Sequence, residues 1–244
     1  MPARDGVAAA RTGGGERPLC PLILWECLPR DPGGDHTGFS NNRESLRAGV
    51  IAVTCHNPAV PVYAALLRGI NVGRNKRIGM AALRAVMDGL GHESVRTHLQ
   101  SGNVVFESPK RSDKALAAAI EQAIAAELGL EVTVMVRRSD ELAEVVAASP
   151  FARRTDDPKR IHVAFLSEKP TAAAVKGFGV EEFAPDEMTV VGREAYLLFP
   201  DGYARTKLTN AVLEKRLGVR ATSRNWRTVQ ALADLTAAPA TPGR

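Results

Sequence analysis

The chain has 244 residues, of which 45% are apolar, and a formal net charge of +5. That allows one large domain or two small ones of ordinary globular composition, and no apolar run approaches the roughly 20 residues that a membrane-spanning helix needs. Residues 62–236 hold 25 Lys/Arg and 21 Asp/Glu, a net +4, which falls short of a dedicated nucleic-acid protein; the three cysteines, Cys20, Cys27 and Cys55, match neither a disulfide framework nor a metal motif.

Residues 1–61 carry glycine and proline runs such as Gly13-Gly14-Gly15 and Asp31-Pro32-Gly33-Gly34, with no sustained helical or strand period. They read as a disordered or loosely held extension, or as the product of a start assigned too early. The apolar stretch Leu19 to Leu28 is broken by Pro21 and Glu26 and lacks a signal-peptide cleavage pattern, so a cytoplasmic protein is expected.

Regular structure begins at Val62. Val62–Leu67 reads as a buried strand, and Met80–Leu90 as a helix with Met80, Leu83, Val86, Met87 and Leu90 on one side. Val95–Leu99 and Asn103–Phe106 form a hairpin through Ser101-Gly102. Ser112 caps a long Ala-rich helix, Asp113–Leu128, which Gly129 stops; Val132–Val136 is a strand. The order β-α-β-β-α-β is the split unit of ferredoxin-like folds.

The second half repeats the pattern. A helix over Asp140–Ala148 precedes a strand at Ile161–Leu166 and a short helix near Pro170. Met188–Val191 and Ala195–Phe199 pair through Gly192-Arg193. Lys207–Leu217 is a helix, Ala221–Ser223 an extended piece, and Trp226–Leu235 a last helix capped by Asn225. The expectation is an α+β protein of two ferredoxin-like lobes with mainly antiparallel sheets, at 62–138 and 139–236, followed by a frayed tail at 237–244.

In such a unit the first and second strands run the same way. The loop from Arg68 to Arg77 and the Gln100–Asn103 turn should therefore meet at one end of the first lobe. The loop is rich in glycine, asparagine and cations. Glycines let backbone N–H groups converge, and cations add charge, which together suit an anion. Arg68, Gly69, Asn71, Gly73, Lys76, Gln100, Ser101, Gly102 and Asn103 are the candidate ligand-binding residues. Arg68 offers a planar fork, Lys76 a mobile charge, the asparagines both donors and acceptors. A second polar cluster supplies Lys207, Thr209, Arg224, Asn225 and Trp226. Phosphate-loop and dinucleotide fingerprints are absent. His98, His92 and His162 have no metal spacing, so no metal is assigned and no cofactor or reaction is named.

Three readings follow. The first is a nucleotide or phosphorylated ligand on the loop rim. The second is RNA or single-stranded DNA on a sheet face, using Tyr63, Phe106, Phe165, Tyr196 and Phe199. The third is a non-enzymatic interaction module. Oligomeric state is not legible.

The segments "ALLRGINVGRNKRIGMAALR", "VRTHLQSGNVVFES", "DPKRIHVAFL", "YLLFPDG" with "TKLTN", and "TSRNWRTV" resemble the bacterial family called domain of unknown function 1697. The resemblance runs from about Val62 to Leu235 and implies a two-lobed α+β protein. The usual loop has a second glycine where this chain has Arg74, which makes the loop bulkier and more basic. The family has no established activity, so no catalytic residue carries over. Its recurring segments fall on Arg68–Lys76, Gln100–Asn103, Lys207–Asn210 and Arg224–Trp226.

Overall fold

The computed structural model describes residues 60–72, 76–110, 112–155 and 157–237. The extension expected over 1–61 and the tail expected over 237–244 lie almost wholly outside them. Fifteen elements follow in chain order. The first half has β1 (Val62–Leu67), α1 (Met80–Gly89), β2 (Glu93–His98), β3 (Asn103–Glu107), α2 (Asp113–Leu128) and β4 (Val134–Arg138). Then come α3 (Ser139–Ala147), β5 (Ile161–Leu166), α4 (Ala172–Lys176) and a 3-10 turn (Val180–Phe183). The remainder is β6 (Glu187–Val191), β7 (Glu194–Leu198), α5 (Asn210–Leu217), β8 (Ala221–Asn225) and α6 (Trp226–Ala237).

The protein is α+β, with two four-stranded antiparallel sheets in the orders β2-β3-β1-β4 and β6-β7-β5-β8. Strand alternation builds the layers. Tyr63, Ala65 and Leu67 of β1 face α1 and α2, while Ala64 and Leu66 face the other way. In β5, Ala164 and Leu166 face α5, while Ile161, Val163 and Phe165 face the centre. The two central faces close over α3 and α6, whose Leu142, Val145, Trp226, Val229 and Leu232 fill the space between the sheets. Both central strands are therefore apolar on both faces, which is why they appear in sequence as unbroken runs.

Most boundaries fall within two residues of expectation. The α5 helix starts at Asn210 rather than Lys207, because the Thr209 hydroxyl accepts the Val212 N–H and fixes the first turn there. Ser112 caps α2 by accepting the Ala115 N–H, and Gly129 ends it with φ 64°. No helix among the described residues is long and apolar enough to cross a membrane.

Arginines join the halves. Arg137, 1% exposed, donates through Nε to Glu194 (2.8 Å) and through Nη2 to the Leu166 carbonyl (2.7 Å). Arg193 pairs with Asp113 of α2 and Glu141 of α3, and Arg220 donates to the Thr133 hydroxyl.

Candidate functional site

Among the described residues, the structure brings the two loop segments together. The Leu67 N–H donates to the Gly102 carbonyl (2.9 Å) as β1 ends. Asn71 donates through Nδ2 to the Ile78 (3.0 Å) and Gln100 (2.7 Å) carbonyls, and its Oδ1 accepts the Ile78 N–H. It therefore ties the loop to the turn, from a left-handed backbone at φ 56°. Asn103 is fully buried; its Nδ2 donates to the His98 carbonyl and the Ser101 hydroxyl, and its Oδ1 accepts from Arg224. These two asparagines hold the rim's shape, and their polar atoms are committed to protein. Gly102 is pressed against Ile70 and Leu67. The Gln100 side chain is exposed, and Gly73 lies outside the described residues.

Arg68 and Lys76 both find partners outside the loop. Arg68 pairs with Glu214 and donates through Nε to the Ala221 carbonyl (3.2 Å). Lys76 donates to the Glu131 carbonyl (2.6 Å). With Arg220 they line a cleft of about 470 Å³ that also carries Glu121 and Glu131. With Glu214 on Arg68, three cations meet three carboxylates among the described residues, so the cleft has no excess of positive charge.

Gly69 and Ser101 instead line a different cleft, of about 340 Å³, and two members of the C-terminal cluster meet them there: Arg224 and Asn225. Lys207 is exposed, Thr209 is the α5 cap, and Trp226 belongs to the central core. The far wall of the cleft adds His162, Tyr203, Asn210 and Ser223. Three large apolar side chains exposed to solvent sit around it: Val72 (74%), Leu99 (57%) and Tyr203 (48%). Leu99 holds φ 59°, a costly conformation for leucine. Among the described residues only Val60 and Val191 are comparably exposed elsewhere, so surface apolarity concentrates on this cleft.

Arg224 forms the floor. All three of its nitrogens donate: Nε to Asn103, Nη1 to Thr222 and the Ser223 carbonyl, Nη2 to the Leu67 carbonyl (2.8 Å) and, more weakly, to the Ser101 carbonyl. Every acceptor is neutral, and among the described residues no carboxylate pairs with it. Burial pushes the guanidinium down to about 10, so it keeps its charge at neutral pH.

His162 stacks flat on Tyr203, with ring centres 4.6 Å apart and planes at 17°. Burial lowers it from 6.5 to about 4. The unfolded chain takes up this proton near 6.5 and the folded chain only near 4. Stability from keeping His162 neutral is therefore complete above pH 6.5 and is lost as pH falls towards 4, by about 3 kcal/mol. Urea titrations at pH 7 and pH 4.5 should show His162→Gln losing markedly less stability on acidification than the parent. Equal losses would contradict the burial argument.

Sequence reading singled out neither Tyr203 nor His162 as site residues. The signal lay in "YLLFPDGY", where an aromatic follows a turn glycine (Gly202, φ 87°) that closes the β7 exit.

The chain resembles a solved structure described as that of the conserved bacterial protein SP0830 from Streptococcus pneumoniae, with 25% identity and a TM-score of 0.58. The match covers 73% of this chain and 99% of that one. A comparison with curated proteins finds no match. The family model described as protein of unknown function, DUF1697, matches residues 60–196, more than half the length, and the chain belongs to that family.

Proposed function

We propose that the protein binds a small organic anion, a nucleotide or a phosphorylated metabolite, in the cleft floored by Arg224. The observation that carries this is a buried guanidinium, hydrogen-bonded only to neutral groups, lining an open cleft with hydroxyls and amides. An unbalanced buried cation is costly. An anion in the cleft offsets that cost through the low-dielectric wall more strongly than it would in water. Gly69, Ser101, Arg224 and Asn225 remain from the sequence-based set, joined by Tyr203, Asn210 and Ser223. Arg68 and Lys76 flank the neighbouring cleft, while Asn71, Gly102 and Asn103 act as supports.

The sheet-face reading for RNA or single-stranded DNA loses its basis. Tyr63, Phe106, Phe165, Tyr196 and Phe199 are all buried, so none can stack on a base. The strand order and helix placement fit two ferredoxin-like lobes at 62–138 and 139–236, and we read the protein as cytoplasmic.

A thermal-shift screen of nucleotides and phosphorylated metabolites tests the proposal. A ligand at about 100 times its Kd should add roughly 2.7 kcal/mol. Ser101→Asp sets a carboxylate beside Arg224 while keeping an acceptor for Asn103. This variant should keep or gain stability and lose at least tenfold in anion affinity. No stabilisation by any anion, or unchanged binding to Ser101→Asp, would overturn the proposal.

A further inference from the structure

We infer that the anion held by this cleft carries a planar aromatic ring, seated on Tyr203. The inference rests on the binding proposal above and narrows its ligand class to nucleobase-bearing anions.

Tyr203 is half-exposed, yet its ring is fixed. One face lies on His162, and Phe199 braces both rings, at 5.2 Å from His162 and edge-on at 5.7 Å from Tyr203. Among the described residues no other ring and no guanidinium covers its second face. The His162 ring beneath is uncharged at neutral pH, so the stack presents a flat, neutral surface. Tyr203, His162 and Asn225 also line a second cleft, of about 410 Å³. The platform therefore stands where two clefts meet, with the ring face opposite His162 left open to a ligand. Aromatic platforms of this kind accept any base, because every base has a π-face.

The edges of the site suit a heterocycle. Asn225 Oδ1 accepts from the Thr228 N–H and hydroxyl, and Asn210 Oδ1 accepts from the Ser223 hydroxyl. Both amides thus turn their oxygens inward. Their Nδ2 amino groups have no acceptor among the described residues, and both residues line the cleft. Two amino donors beside a stacking surface match the ring nitrogens and carbonyl oxygens of a nucleobase. Exposed Leu99 and Val72 add apolar walls. A sugar phosphate has oxygens that can accept from these amino groups, but it has no aromatic ring to stack on Tyr203.

Calorimetry on the intact chain should compare nucleoside monophosphates with ribose 5-phosphate. At least one nucleotide is expected to bind tenfold or more tightly than ribose 5-phosphate. Tyr203→Ala should erase that preference and leave the weaker, ring-independent affinity in place; Tyr203→Phe should retain it. If ribose 5-phosphate binds as tightly as every nucleotide, or Tyr203→Ala keeps the preference, the ring inference falls while the anion site stands. If neither ligand type binds, both readings fall.

Discussion

Arg224→Met should destabilise the protein by about 3–5 kcal/mol, the summed cost of several buried acceptors left without a donor, less the relief of an unpaired buried charge. The substitution leaves the Asn103 side chain and the Leu67 and Ser101 carbonyls facing an apolar group, and each buried acceptor left without a donor costs about 1–3 kcal/mol. These acceptors belong to β1, the β2–β3 turn and the start of β3, and Arg224 belongs to β8, so the loss falls on the join between the halves. Arg224→Lys should recover only part of it. An ammonium keeps the charge but has three donors on one atom and no planar fork to reach acceptors on two sides. Equilibrium urea unfolding measures both variants. If Arg224→Met stays within 1 kcal/mol of the parent, the residue does not clamp the halves.

The second large effect is expected at Gly102. A Cβ there would lie 2.7 Å from Ile70 Cδ1, 2.8 Å from Ile70 Cγ1 and 2.9 Å from Leu67 Cβ. Neither neighbour can retreat, since Ile70 is 2% exposed and Leu67 fully buried. The backbone also sits at φ 75°, which costs an L-residue about 1–2 kcal/mol. Overpacking adds about 1–3 kcal/mol. Gly102→Ala should therefore cost about 2–5 kcal/mol in denaturant, and it should also weaken ligand binding by displacing the cleft wall at Ile70. Gly129→Ala has the same left-handed backbone but open space around the Cβ, so it should show the conformational cost alone. Equal losses at the two positions would mean that packing against Ile70 contributes nothing.

The elements most legible in the sequence were those whose residues meet one kind of neighbour throughout. β1 and β5 are buried on both faces and read as apolar runs. α2 carries its own punctuation, with Ser112 before it and Gly129 after. β8, "ATSRN", was harder, because it lies at a sheet edge and mixes Ala221 in the core with Thr222, Ser223 and Arg224 on the cleft. The meeting of the Arg68–Lys76 and Gln100–Asn103 segments followed from strand direction alone. The use of their side chains did not. Asn71 and Asn103 have the chemistry of ligand contacts, but their partners, Gln100 and Arg224, are 29 and 121 residues away in sequence. No local pattern records such a bond. Tyr203 was overlooked for a related reason. What distinguishes it is exposure in a fixed pose, and that depends on His162 and Phe199 behind it.

The placement of α6 has a further consequence. This helix supplies much of the filling between the sheets, and among the described residues it is the last element in chain order. While the ribosome is still extending the chain, the first sheet already has α1 and α2 over its outer side but has only α3 for its inner side. That inner surface stays wet, and able to adhere to other chains, until residue 232 or so has emerged. Closure of the interior thus waits on the docking of α6.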